Sequence, residues 1–107
     1  MSKFNLHDLE KRIQERAQAS ADASYTRKLL DKGVEFSAKK FGEEAIETVI
    51  AATSESRERL ICEAADLIYH LLVVLHARGI PLQEVEAELE KRQAMSGLEE
   101  KSSRPRE

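Results

Sequence analysis

The 107-residue chain has no Trp, one Cys, two Pro and four Gly. A single cysteine, Cys62, excludes an intrachain disulfide and a thiolate zinc site. Its apolar neighbours predict a buried small hydrophobe, not a nucleophile. With three Phe and two Tyr as the only aromatics, the core must come from Leu, Ile, Val and Ala. No stretch approaches the ~20 apolar residues of a membrane span, and Met1-Ser-Lys-Phe-Asn-Leu-His lacks the apolar run of a signal peptide. The expected location is the cytosol, with no membrane partner. There is no strand-like alternation, no internal repeat, and no Gly-x-x-x-x-Gly-Lys-Ser/Thr loop. Any phosphate must therefore be held by side chains and metal, not by a nest of backbone amides. A net charge of −3 gives no reason to expect duplex nucleic acid.

What is present is helix-forming and highly charged. The length fits one domain near the lower end for a self-sufficient core, and a poor aromatic inventory favours self-association. Leu6, Leu9, Ile13 and Ala17 mark a first amphipathic helix. Residues 18–26 are small and polar, as in a loop. Tyr25 starts a short helix, with Ser24 or Thr26 available as its cap, and Gly33 punctuates it. A longer helix spans Val34 to about Thr53. Gly42 inside it costs about 1 kcal/mol against Ala, hinting at a close approach or a break. Arg57–Arg78 is the clearest helix, its apolar arc wide enough for two neighbours. Gly79 ends it, Pro81 opens the next, and Leu82, Val85 and Leu89 mark the last. From residue 95 the tail is polar and reads as disordered by composition. The fold class is an all-α helical bundle.

Two acidic clusters stand out: Glu43-Glu44-Ala-Ile-Glu47 and, after fifteen intervening residues, Glu63-Ala-Ala-Asp66. Acids three and four apart share a helix face. At 100° per residue, Glu63, Asp66 and His70 fall within about 60° at the edge of the apolar face. The same projection sets Glu43 and Glu47 beside Ile46 and Ile50, with Glu44 turned further out. If the two faces converge, carboxylates about 5.5 Å apart at an effective dielectric near 20 repel by about 3 kcal/mol per pair. Something positive must then sit among them, nearby Lys and Arg or, most simply, a divalent cation. Carboxylate donors with no Cys favour Mg²⁺, or Mn²⁺, over zinc. Magnesium commonly takes phosphate oxygens as further ligands, so a phosphate-containing substrate follows. Lys39 and Lys40 precede the acids by one turn and can reach a phosphate; Arg27 and Lys32 are weaker candidates. A histidine such as His70 more often packs helices, but here it can also serve substrate.

These residues resemble a known pattern. Glu43-Glu44-x-x-Glu47 with Glu63-x-x-Asp66 resembles the all-α nucleoside triphosphate pyrophosphatases of the MazG-like superfamily. The flanking blocks narrow it: Ser24-Tyr25-Thr26-x-x-Leu29-Leu30, Gly33, Lys39-Lys40-Phe41-Gly42-Glu43-Glu44-Ala45, Ala65-Asp66-Leu67-Ile68-Tyr69-His70-Leu71-Leu72, and Ser96-Gly97-Leu98-x-Glu100-Lys101. Over residues 24–104 they resemble the phosphoribosyl-ATP pyrophosphatase family. That resemblance implies Mg²⁺-dependent hydrolysis of phosphoribosyl-ATP to phosphoribosyl-AMP and pyrophosphate, the second step of histidine biosynthesis. It implies a homodimer whose subunits together complete a four-helix core. It also implies Glu44, Glu47, Glu63 and Asp66 as metal ligands, with Glu43 as ligand or base. The tail gains a use, with Ser96, Lys101 and Arg104 ordering over substrate. A house-cleaning pyrophosphatase of non-standard nucleoside triphosphates would carry the same metal site. A helical interaction module with no chemistry is the remaining alternative.

Overall fold

The structure, a computed structural model, describes residues 3–93 together with Ser102 and Arg104. Among the described residues, five helices follow one another: α1 (Leu6–Ala17), α2 (Tyr25–Asp31), α3 (Val34–Ser54), α4 (Arg57–Ala77) and α5 (Leu82–Arg92). No strand occurs among the described residues, so the all-α expectation holds. Expectations for Ser96 and Lys101 lie outside the described residues.

Each boundary has a local cause. Asn5 caps α1 through a reciprocal pair of bonds with Asp8. Ser24 caps α2 by accepting from the Arg27 amide, while its own hydroxyl donates to the Arg16 carbonyl at 2.9 Å. That second bond ties the connecting loop to the end of α1. Gly33 adopts φ 92, a conformation glycine takes without steric cost, and turns the chain from α2 into α3. Ser56 caps α4. At the far end of α4, Gly79 (φ 69) donates to His76 and Ile80 donates to Leu75, the paired bonds of a Schellman stop. Helix α3 runs unbroken through Gly42, and a Cβ there would meet nothing within 4 Å. The close approach inferred from that glycine is not made by any of the described residues.

α3 and α4 form the dominant pairing, an antiparallel hairpin about 30 Å long at 1.5 Å per residue. The core gathers at one end of it. There Ile13, Leu29, Leu72, Val73 and Leu82 are buried together, with Leu9, Leu30, Phe36, Tyr69 and Leu75 packed around them. α5 is held mainly through its start: Leu82 is buried, its amide donates to Glu10 at 2.7 Å, and His7 meets Glu86 at 2.8 Å.

The other half of the hairpin is different. Ile46 and Val49 are 63% and 62% exposed, and Ile50, Ile61, Ile68 and Leu71 are exposed as well. Cys62, next to Ile61, is exposed too, against the expectation of burial. Among the described residues, α4 is the one helix long and apolar enough to cross a membrane by length and composition, against the expectation that no segment is. It nevertheless carries Glu63, Asp66 and His70 and packs along α3.

Candidate active site

The two acidic clusters converge where α3 meets α4. Donor oxygens of Glu44, Glu63 and Asp66 all lie within 4.8 Å of one another. What brings them together is a row of small residues on α3. Ala51 is buried, and the Thr48 hydroxyl donates within reach of the Glu44 carbonyl (2.8 Å) and the Glu63 carbonyl across the interface (3.2 Å). Small side chains let the backbones approach, so Glu44, one turn before Thr48, points into the seam. This reverses the helical projection, which turned Glu44 further out than Glu43 and Glu47. Glu44 is the inward residue, with 19% of its side chain exposed, while Glu43 is outward and paired with Lys40 at 3.2 Å. The helical projection placed the seam on the Ile46–Ile50 side, whereas α4 packs on the Glu44–Thr48–Ala51 side.

Glu63 is the most deeply set acid, 5% exposed. Arg59, one turn earlier, donates to its Oε1 at 2.8 Å, yet its Oε2 is buried with no hydrogen-bond partner. A buried carboxylate oxygen without a partner is costly. Two further carboxylates within 4.8 Å make the arrangement costlier still, unless a cation joins them. The titration behaviour agrees. Burial raises the Glu63 carboxyl above the ordinary range, Glu47 adds to it, and Arg59 partly opposes it. Burial raises Glu44 too, followed by the charges of Asp66 and Glu47, with Lys40 opposing. Glu47 is exposed and acts on both Glu44 and Glu63, which puts it at the rim of the cluster. Three oxygen donors without sulfur suit a hard divalent cation, so the residues present fit a metal.

His70 lies behind the acids, buried, with Nε2 4.0 Å from Glu44 Oε1 and Nδ1 without a partner. Burial, and then the charge of Lys40, hold it below its ordinary value. It therefore faces Glu44 as a neutral imidazole near pH 7. Tyr69 packs edge-on against it at 5.1 Å and Tyr25 at 6.2 Å. Tyr69 in turn shares a hydrogen bond with Thr26, anchoring α2 to α4.

Of the expected substrate contacts, Lys40 and His70 join the acids. Lys32 sits farther along, over the Phe36 ring at 4.5 Å. Lys39 is exposed one turn before Glu43. Arg27 does not join the group: its guanidinium pairs with Asp31 at 2.8 Å and donates to the Ala19 carbonyl at 3.0 Å. Arg104 is exposed, and Lys101 lies outside the described residues. Sequence reasoning missed Arg59 and Thr48. Arg59 had a legible signal, its spacing of four residues before Glu63. Thr48 had none until the inward face of α3 was known.

Comparison with known proteins places this geometry. Residues 6–93 match the family model described as phosphoribosyl-ATP pyrophosphohydrolase. A phosphoribosyl-ATP pyrophosphatase 1 of Bradyrhizobium diazoefficiens is 64% identical over 104 residues, covering 97% of this chain and 98% of that protein. A second protein of that name, from Rhodopseudomonas palustris, is 56% identical over 107 residues and the full length of both chains. The phosphoribosyl-ATP pyrophosphatase of Agrobacterium fabrum is 56% identical over 105 residues and 98% of each. A match of this extent, spanning all five helices and both acidic clusters, makes the chain a member of the phosphoribosyl-ATP pyrophosphohydrolase family.

Proposed function

We propose that this chain hydrolyses phosphoribosyl-ATP to phosphoribosyl-AMP and pyrophosphate, the second step of histidine biosynthesis, in the cytoplasm and with Mg²⁺ as cofactor. The observation that carries this reading is the buried, partnerless Glu63 Oε2 inside a three-carboxylate cluster, in a chain whose relatives bear the name of that activity. Glu44, Glu63 and Asp66 would hold the ion, with Glu47 as a further carboxylate at the rim; Mn²⁺ suits the same donors. Bound there, the ion would neutralise the leaving pyrophosphate and acidify an attacking water. Arg59 holds Glu63 in one orientation, so its second oxygen is presented to the cluster without a search. A rim carboxylate that the metal does not fully engage takes the water's proton. Lys40, paired with Glu43 and close to Glu44, is placed to meet a phosphate oxygen.

The exposed apolar face along α3 and α4 supports a homodimer. Two hairpins packed through Ile46, Val49, Ile50, Ile61, Ile68 and Leu71 would form a four-helix core. The deciding experiment is ³¹P NMR of phosphoribosyl-ATP with the protein, with and without Mg²⁺. Metal-dependent appearance of pyrophosphate and phosphoribosyl-AMP is expected. Cleavage of an ordinary or modified triphosphate in its place would keep the metal site and discard the substrate.

A further inference from the structure

Beside the acid cluster, α2 and the start of α3 enclose a cavity of about 250 Å³ lined by Tyr25, Lys28, Leu29, Lys32, Phe36 and Lys40. Its floor is apolar, with Leu29 buried and Phe36 half-buried. Three lysines surround that floor. Lys32 lies over the Phe36 ring, and Lys40 reaches toward Glu43. Neither Lys28 nor Lys32 has an acid partner among the described residues. Unpaired cations around an aromatic, apolar floor suit a phosphorylated group joined to a flat ring.

The cavity is smaller than the roughly 300–1,000 Å³ that encloses a whole drug-sized ligand. It therefore suits one end of a longer molecule. Lys40 lines the cavity and also acts on Glu44. Tyr25 lines it and packs edge-on against His70, which faces Glu44. Along α3, Phe36, Lys40 and Glu44 are spaced four residues apart and drift by only about 40° per step, so they form one stripe about 12 Å long. A ligand with phosphates at both ends, separated by two riboses and a purine, can follow that stripe.

We infer that Lys28 and Lys32, over the Leu29–Phe36 floor, bind the phosphate of the phosphoribosyl arm and select phosphoribosyl-ATP over ordinary nucleoside triphosphates. This rests on the reaction proposed above and adds to it the part of the site that reads the far end of the substrate. The triphosphate lies on the acids, and the purine and second ribose run past Lys40 and Tyr25. The second phosphate then ends between Lys28 and Lys32. ATP lacks that arm and leaves the cavity empty.

The test is steady-state kinetics of the wild type and the Lys28→Gln/Lys32→Gln double variant on phosphoribosyl-ATP and on ATP. The double variant should raise KM for phosphoribosyl-ATP by about 10- to 100-fold, with kcat within about threefold. Whatever ATP cleavage the wild type shows should be unchanged, and Lys28→Arg/Lys32→Arg should recover most of the lost affinity. If the wild type turns over phosphoribosyl-ATP and the Gln variant keeps its KM within about twofold, the subsite is wrong and the reaction stands. An equal loss on both substrates also overturns the subsite, because the lysines would then serve the triphosphate or the fold. If the wild type does not cleave phosphoribosyl-ATP at all, the proposed reaction fails and this inference falls with it.

Discussion

The two ends of the α3–α4 hairpin are built from the same kinds of residue and treated in opposite ways. At one end Leu72 and Val73 are sealed by α1, α2 and the start of α5. At the other, Ile46, Val49 and Ile61 face outward and none of the described residues covers them. The acid cluster sits between these regimes, with Glu63 and His70 buried and Asp66 and Glu47 open to solvent. An aliphatic residue is thus no guide to what its own chain covers. The covered end makes the fold, while the bare end calls for a second surface. A site between them can have rigid backing and an open mouth.

The largest effect should come from the boundary itself. Glu63→Gln keeps the shape and the Arg59 contact at Oε1 but removes the charge presented to the cluster. Outer-shell changes around metals typically cost about 10- to 100-fold, so loss of this donor should lower kcat/KM for phosphoribosyl-ATP by more than about 100-fold. The melting temperature without metal should not fall, because like-charge repulsion is relieved, and Mg²⁺ should no longer raise it. A variant that melts early and stays active would break the assignment.

Next come the two ends compared directly. Leu72→Ala removes a sealed core side chain and should cost about 2–5 kcal/mol in chemical denaturation. Val49→Glu, on the bare end, creates no internal cavity. It should instead convert a dimer to a monomer in light scattering, with loss of whatever stability association supplies. If Val49→Glu leaves the mass unchanged, that face is not the self-association surface.

The smallest effect is in pH. Glu44 and Glu63 bind protons more tightly folded than unfolded. Their contribution to metal-free stability is therefore full below the ordinary value of 4.5 and is lost as pH rises through their raised values. His70 has the opposite sign: held below 6.5, it costs stability as pH falls from 6.5 through its folded value. Melting temperatures between about pH 7 and pH 4.5 should respond accordingly. Glu63→Gln should flatten the gain on acidification, and His70→Gln should steepen it. Mg²⁺ binding should weaken on the same descent, since its ligands must give up protons.

Much of the site is legible in the order of the residues. The spacing of Glu63, Asp66 and His70 puts them on one face of α4, and periodicity alone specifies that. The choice among Glu43, Glu44 and Glu47 is not legible in the same way. Apolar periodicity on α3 points to Ile46 and Ile50, but α4 packs against Thr48 and Ala51 because small residues permit the closer approach. The expectation for Cys62 fails for a related reason, since its apolar neighbours belong to the uncovered face. The cavity between α2 and α3 leaves no mark in the sequence. It depends on the φ 92 turn at Gly33, which folds Lys28 and Lys32 back toward Phe36 and Lys40.

By itself the sequence determined the helices, their caps and stops, and the two carboxylate faces. These follow from contacts within a few residues, where 3.6-residue periodicity and local hydrogen bonding leave little choice. Only the tertiary structure decided which acid of each cluster is driven into the seam, which cations face it, and which apolar stripe stays bare. Those outcomes depend on how closely two helices approach, and that distance is set by side-chain volume summed across both surfaces.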